Sequence, residues 1–288
     1  MLLVLQETSP QEIVPRDSAT IVLLRDGASG LEVFLMKRSG LSDAFGEAYV
    51  FPGGKLDDAD SGATALAALD QPPAVLAQRL GEPALTDTVA AGLFTAALRE
   101  LFEEAGVLLS NGSTRPNSNS ARDWQAWLDS ATGQLRASCV HPWSRWITPR
   151  MAAMSKKRFD TRFFLAVAPA DQDACHDNHE TTASVWLTPK EALLRLERGE
   201  ISMAPPQIMS LAHLARFATV AQALADAQTR TPPCICPENY RDEGEVFLCY
   251  PGDPRHSVPA RALPGPTRLY VRNRSFLPKE GGIAALWE

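Results

Sequence analysis

Arg99-Glu100-Leu101-Phe102-Glu103-Glu104-Ala105-Gly106-Val107 closes the strongest helical pattern in the chain, which runs from about Asp87 to Leu108. Leu98, Leu101, Phe102 and Ala105 recur at i, i+3, i+4 and i+7 and form one apolar stripe. At about 100° per residue, Glu100, Glu103 and Glu104 share the opposite sector. Glutamates on the outer face of an amphipathic helix are ordinarily just solvated. Three of them at i, i+3 and i+4 nevertheless repel one another, and hard divalent cations prefer such carboxylate oxygens, often together with substrate phosphates.

Upstream, the apolar run Ala48-Tyr49-Val50-Phe51 meets Pro52-Gly53-Gly54-Lys55. The strand is expected to stop there, at a glycine turn able to bring backbone close to a ligand. Before it, Ala19–Leu24 and Leu31–Lys37 read as a hairpin turning at Asp26–Gly30. Asp57–Gln71 is acidic and Ala-rich, and a helical pattern resumes over Pro73–Leu80. Past the acidic helix, Ser110–Ser120 reads as a loop and Trp124–Leu128 as helical. Strands are expected at Trp143–Ile147, Phe159–Val167 and Ala183–Leu187. Thr188-Pro189 marks a helix start, and one long helix is expected over Pro206–Ala227. After Thr229 the chain turns Pro- and Gly-rich, with β-like pieces at Val246–Tyr250 and Thr267–Val271.

The chain of 288 residues is 45% apolar with a net charge of −6. That suits a globular protein and argues against broad nucleic-acid binding, which needs clustered Lys and Arg. The five cysteines are odd in number and irregularly spaced, the pattern of a reduced, intracellular protein. The start Met1–Leu5 is too short for a signal peptide, the end Leu286-Trp287-Glu288 is not a peroxisomal address, and no run is long enough to cross a bilayer. Cytoplasm is the expected compartment and no membrane partner is expected. Cys175-His176 with His179, and Cys234 with Cys236, lack the paired spacing of a zinc site. The Ser and His residues lack a nucleophile-elbow context.

Taken together, the glycine turn and the acidic helix resemble the Nudix box, G-x5-E-x7-R-E-U-x-E-E-x-G-U with U aliphatic. Arg99, Glu100, Leu101, Glu103, Glu104, Gly106 and Val107 fill its second half, and Gly53 and Gly54 its start. Asp60 stands where the family has Glu. Thirty-eight residues then separate Asp60 from Arg99 where the pattern allows seven, so an insertion of 31 splits the box. Loop closure costs grow only logarithmically with length, so both halves can still meet. The split, with Lys37-Arg38-Ser39, Trp146-Ile147-Thr148-Pro149, Arg158-Phe159-Asp160-Thr161-Arg162, Trp186-Leu187-Thr188-Pro189 and Ala204-Pro205-Pro206-Gln207, is similar to the branch of the animal peroxisomal coenzyme A diphosphatase and its bacterial relatives. A motif common in coenzyme A diphosphatases is matched by Leu35, Arg38 and Ser39 and by Phe51–Gly54. It departs at Asp43, where an Arg is expected, and at Gly46, one position early.

The resemblance implies an α/β fold, the Nudix α/β/α sandwich with a mixed sheet, carrying the box insertion and a small C-terminal β-containing extension. Residues 14–228 would form the Nudix domain, with the insertion at about 61–90, and 229–288 the extension packed on it. It implies hydrolysis of a diphosphate linkage in a small nucleoside-diphosphate compound, coenzyme A or an acyl-CoA leading, with ADP-ribose, nucleotide sugars or dinucleotides as alternatives. A non-catalytic nucleotide-binding module is the alternative of another class, and three intact glutamates speak against it. Mg²⁺, or Mn²⁺, would be held by Glu100, Glu103 and Glu104 with the Gly53 carbonyl. Arg99 would orient the glutamates and Glu180 is the candidate general base. Arg38, Gly54, Lys55 and Arg158 would meet the substrate. The oligomeric state stays open, a homodimer among the options.

Overall fold

Residues 19 to 24 of the first strand are all buried, the mark of a strand covered on both faces. In the computed structural model, which describes residues 13–39, 47–112, 123–130, 133–149, 157–177, 180–272 and 275–288, this strand lies inside an eight-stranded mixed sheet. The strands of that sheet are β1 (Arg16–Gly27), β2 (Gly30–Arg38), β3 (Tyr49–Val50), β4 (Gly53–Lys55), β5 (His141–Ile147), β6 (Phe159–Val167), β7 (Thr181–Leu187) and β8 (Cys234–Ile235). β1 runs parallel to β6 and antiparallel to β2. Asp43, Gly46, His179, Met1–Leu5 and the stretch 113–120 of the expected loop lie outside the described residues.

Neighbouring residues on each strand feed opposite cores, as the two-residue period requires. Val22, Leu24, Val33, Leu35, Phe163 and Leu165 face a core shared with α5 (Pro189–Glu197), α6 (Pro205–Leu214) and α7 (Val220–Thr229). Ile21, Leu23, Phe34, Met36, Phe164 and Ala166 face a second core, built with α2 (Pro73–Leu80), α3 (Asp87–Ala105) and α4 (Trp124–Ser130). The result is a three-layer α/β/α sandwich.

The expected long helix over Pro206–Ala227 is in fact two. Thr219 opens α7 with a capping box, its side chain accepting from Gln222 N–H. The break also serves the β1–β2 hairpin: Ala218 O accepts from Leu31 N–H at 3.1 Å and Asp26 Oδ1 accepts from Val220 N–H at 2.9 Å. A continuous helix would have kept both groups in its own ladder.

The insertion is helical rather than a plain loop. It comprises α1 (Ala63–Ala67), α2 and the first turns of α3. Past Thr229, β8 joins the main sheet beside β5, while β9 (Glu238–Asp242), β10 (Glu245–Cys249), β11 (Arg268–Arg272) and β12 (Ser275–Leu277) form a second, antiparallel sheet. Tyr250, Leu263, Leu269, Ile283 and Leu286 from this region belong to the same core as α5 and α6.

Candidate active site

The strand at Val50–Phe51 does not simply end at Pro52, as the sequence suggested; it changes partners. β3 pairs with the end of β2, Pro52 O accepts from Ile21 N–H at 2.9 Å, and Gly53–Lys55 then pair with Thr20–Ser18 of β1. β1 and β2 pair with each other only near their turn. The segment 49–55 therefore fills the gap where they part, and sets Gly53 and Gly54 at its apex.

α3 delivers the acids to that apex. Thr86 caps its start, accepting from Val89 N–H at 3.3 Å, and Gly106 ends it in the left-handed region at φ 69°, where side chains are strained. Leu98, Leu101, Phe102 and Ala105 are buried as the stripe predicts. The opposite sector is not a solvated face, however: the Glu100 side chain is only 12% exposed and that of Glu103 36%.

Both halves of the box meet across the insertion. Gly53 N–H donates to Glu104 Oε2 at 2.8 Å. A Cβ on Gly53 would stand 2.6 Å from the Ala19 carbonyl, so only glycine lets β4 lie this close to β1, and one on Gly54 would stand 2.2 Å from Glu100 Oε1 and displace that carboxylate. Arg99 ties the two halves. Its Nε and Nη2 donate to Asp60 at 2.8 and 3.0 Å, Nη2 to Lys55 O at 3.1 Å, and Nη1 to Glu100 Oε1 and Glu103 Oε2 at 2.7 and 2.9 Å. Asp60, 1% exposed, also accepts from Asp57 N–H at 2.9 Å. Sequence reasoning noticed Asp60 only as a shortened acid. Its six-residue spacing from Gly54 was the available signal, and the structure makes it the anchor of Arg99.

Electrostatics mark the cluster as short of positive charge. Burial, opposed by Arg99, pushes the Glu100 carboxyl up to about 7. Burial and the Glu100 charge push Glu104 up to about 8, against the pull of the Gly53 hydrogen bond. Glu180 raises Glu104 further and Arg38 lowers it, so both are near enough for their charges to be felt there. Glu180 precedes β7, its carbonyl accepting from Ser39 N–H at 2.9 Å, and Arg38 pairs with Thr181 across a bulge.

Two expected substrate contacts are otherwise engaged. Arg158, 7% exposed, gives Nε to Thr148 O at 3.0 Å and Nη1 to Ile13 O at 2.8 Å. These bonds fasten the start of β6 to the end of β5 and to the segment before β1, a backbone-bracing role for Arg158 that the sequence reading did not include. Lys55 Nζ is exposed and lies 2.5 Å from Asp57 Oδ1.

Among the described residues, no three Asp, Glu, His or Cys side chains converge as a ready metal cluster. The reason is visible: Arg99 Nη1 draws Glu100 and Glu103 to itself while Glu104 turns to Gly53. The donor set still fits a hard divalent ion. Glu100 and Glu104 are largely withdrawn from solvent and poorly compensated, Glu103 is half-exposed beside them, and Arg99 has Asp60 and Lys55 O as anchors besides the two glutamates. A cavity of about 190 Å³ lies elsewhere, beside Glu82, Arg145, Arg162 and Cys234.

Comparison with known proteins agrees with this geometry. The family model described as the NUDT19 Nudix domain matches residues 15–214. The chain belongs to the Nudix family. It is similar to proteins named acyl-coenzyme A diphosphatase NUDT19 from Gallus gallus (29% identical, covering 70% of this chain and 68% of that one) and Homo sapiens (30%, covering 67% and 63%). That of Xenopus laevis is 27% identical, covering 68% and 63%. The chain thus spans about two thirds of these relatives' length, and less than that for frog and human. Among solved structures it is similar to a Nudix hydrolase from Alicyclobacillus acidocaldarius, 26% identical with a TM-score of 0.57, covering 74% of this chain and 96% of that one. Nudix hydrolases generally use divalent metal ions. No helix among the described residues is long and apolar enough to cross a membrane.

Proposed function

We propose that this Nudix protein hydrolyses the diphosphate linkage of coenzyme A or an acyl-CoA in the presence of Mg²⁺ or Mn²⁺, releasing 3′,5′-ADP and (acyl-)phosphopantetheine. The observation that carries the reading is the rejoined box: Gly53 N–H on Glu104, Gly54 against Glu100, and Arg99 bridging to Asp60. Support for this substrate comes from the named relatives and from the motif residues Leu35, Arg38, Ser39 and Phe51–Gly54.

A bound divalent cation would neutralise the diphosphate and acidify water. Glu100, Glu103 and Glu104 would hold it, the Gly53 carbonyl being a further oxygen at the apex. Arg99 keeps the glutamates in register on α3. Glu180 would take the proton from the attacking water; the new P–O bond forms as the bridging P–O bond breaks, and the leaving phosphate keeps the electron pair. Arg38 would face the phosphates, as Arg favours such groups. The protein's part is chiefly positioning and charge stabilisation. All five cysteines are free thiols, which suits the cytoplasm.

Incubating the pure protein and Mg²⁺ with coenzyme A, acyl-CoAs, ADP-ribose, NADH and nucleotide sugars tests this. Release of 3′,5′-ADP from coenzyme A or its esters is expected; turnover of ADP-ribose alone would reject the substrate.

A further inference from the structure

The loop before β7 contains an acid that sequence reading passed over. Asp177 Oδ1 accepts from Thr181 N–H at 3.0 Å and from Thr181 Oγ at 2.8 Å, and its Oδ2 accepts from Glu180 N–H at 3.2 Å. Thr181 is 1% exposed and sits opposite Arg38. The Glu180 carbonyl meanwhile accepts from Ser39 N–H at 2.9 Å. Asp177 thus holds the N–H groups on both sides of Glu180, and Ser39, just past β2, holds the carbonyl between them. The same loop is pinned to the end of α3: Cys175 N–H donates to Ala105 O at 3.0 Å, and the Gln172 amide exchanges two 2.9 Å hydrogen bonds with the Leu108 backbone. A chain tied in this way to α3 and to β2 holds its next side chain in a narrow range relative to both.

We propose that Asp177 is a positioning residue for the hydrolysis, acting through Glu180; the inference rests on the reading of Glu180 as general base. Only an ionised carboxylate offers acceptors to three donors at once. An asparagine keeps one acceptor for Thr181 and turns an N–H against the Glu180 amide. General-base catalysis tolerates little displacement of the base from its proton, so a loosened Glu180 costs rate more than substrate affinity.

The test is a cycle on the full chain with Asp177→Ala, Glu180→Gln and the pair, measuring kcat and KM for coenzyme A with Mg²⁺, each variant checked by thermal melting. Glu180→Gln is expected to lower kcat by about a hundredfold or more. Asp177→Ala is expected to lower kcat about tenfold with KM nearly unchanged, and to add nothing once Glu180 is already Gln. If Asp177→Ala does not fold, Asp177→Asn takes its place, with the same direction expected. A wild-type kcat in the Asp177 variant, or an undiminished tenfold loss in the Glu180→Gln background, overturns the positioning role. Full activity of Glu180→Gln instead overturns the base assignment on which it rests, and is told apart by that variant alone.

Discussion

Under the insertion, Arg145 and Arg162 meet Asp17, Glu82 and Asp160; on α3, Arg99 meets Asp60, Glu100 and Glu103, with Glu104 alongside. Both clusters are largely buried, yet their charges are balanced differently. In the first, Arg162 is 2% exposed and donates to Glu82 at 3.0 and 2.7 Å and also to Asp17. Arg145 forks onto Asp160 at 2.8 and 2.6 Å and reaches Glu82 at 2.9 Å. Burial alone would lower the Arg162 pKa, but its hydrogen bonds to Glu82 and the charge of Asp160 more than offset this. Two guanidiniums answer three carboxylates. On α3, Arg99 hydrogen-bonds three acids and lies 3.8 Å from a fourth, Asp57, which Lys55 also meets; Glu104 and Glu180 add charge, with Arg38 acting on Glu104. There the carboxyls cling to protons: Glu100 is held at about 7 and Glu104 at about 8. A paired network of this kind staples the fold, whereas the under-compensated one is where we place the proposed cation.

That contrast can be broken by mutation. Glu104→Gln keeps an acceptor for Gly53 N–H but cannot carry charge, so kcat should fall by about 10²–10³-fold while the melting temperature holds or rises. A fully active variant would refute the ligand role. Glu82→Ala should do the reverse. Losing one of the two acids that join both arginines leaves buried positive charge, costing on the order of 3 kcal/mol in chemical denaturation, with Asp17 and Asp160 limiting the damage. A variant as stable as the parent would deny the stapling role.

The pH dependence of the metal-free protein sharpens the comparison. A carboxyl raised above its ordinary value of 4.5 holds its proton more tightly folded than unfolded. Its contribution is complete below about 4.5 and disappears as pH rises through about 8. In a chelator, the melting temperature should therefore fall between pH 6 and pH 9, and excess Mn²⁺ should restore it at the upper end. A flat profile, or one unaffected by Mn²⁺, would contradict the charge deficit. The smallest catalytic effect is expected at Arg158: replacement by Ala should cost stability, by about 1–3 kcal/mol through unsatisfied carbonyls, with KM for coenzyme A unchanged. A large rise in KM would restore Arg158 to the site.

Much of this was legible in the sequence because periodicity and motif spacing are local. The stripe Leu98, Leu101, Phe102, Ala105 set α3, although the expected helix ran on to Leu108 where Gly106 stops it after Ala105, and Thr188-Pro189 started α5 as read. The box residues could be gathered only by overlooking the insertion, since the hydrogen bonds joining Gly53 to Glu104 and Asp60 to Arg99 span 51 and 39 positions. What escaped was decided by tertiary partners. Nothing between Pro206 and Ala227 announces that Ala218 must bond Leu31. Arg158 reads as a free cation until two carbonyls are folded against it. Asp177 becomes visible only once Thr181 begins a strand.

The most direct measurement is a Mn²⁺ titration at neutral pH, followed by electron paramagnetic resonance, on the parent protein and on Glu104→Gln. The parent should take up Mn²⁺ at a site that Mg²⁺ competes for, and the variant should lose most of that affinity while remaining folded. Equal uptake by both proteins, or none by the parent, would contradict the claim that these α3 carboxylates are a cation site.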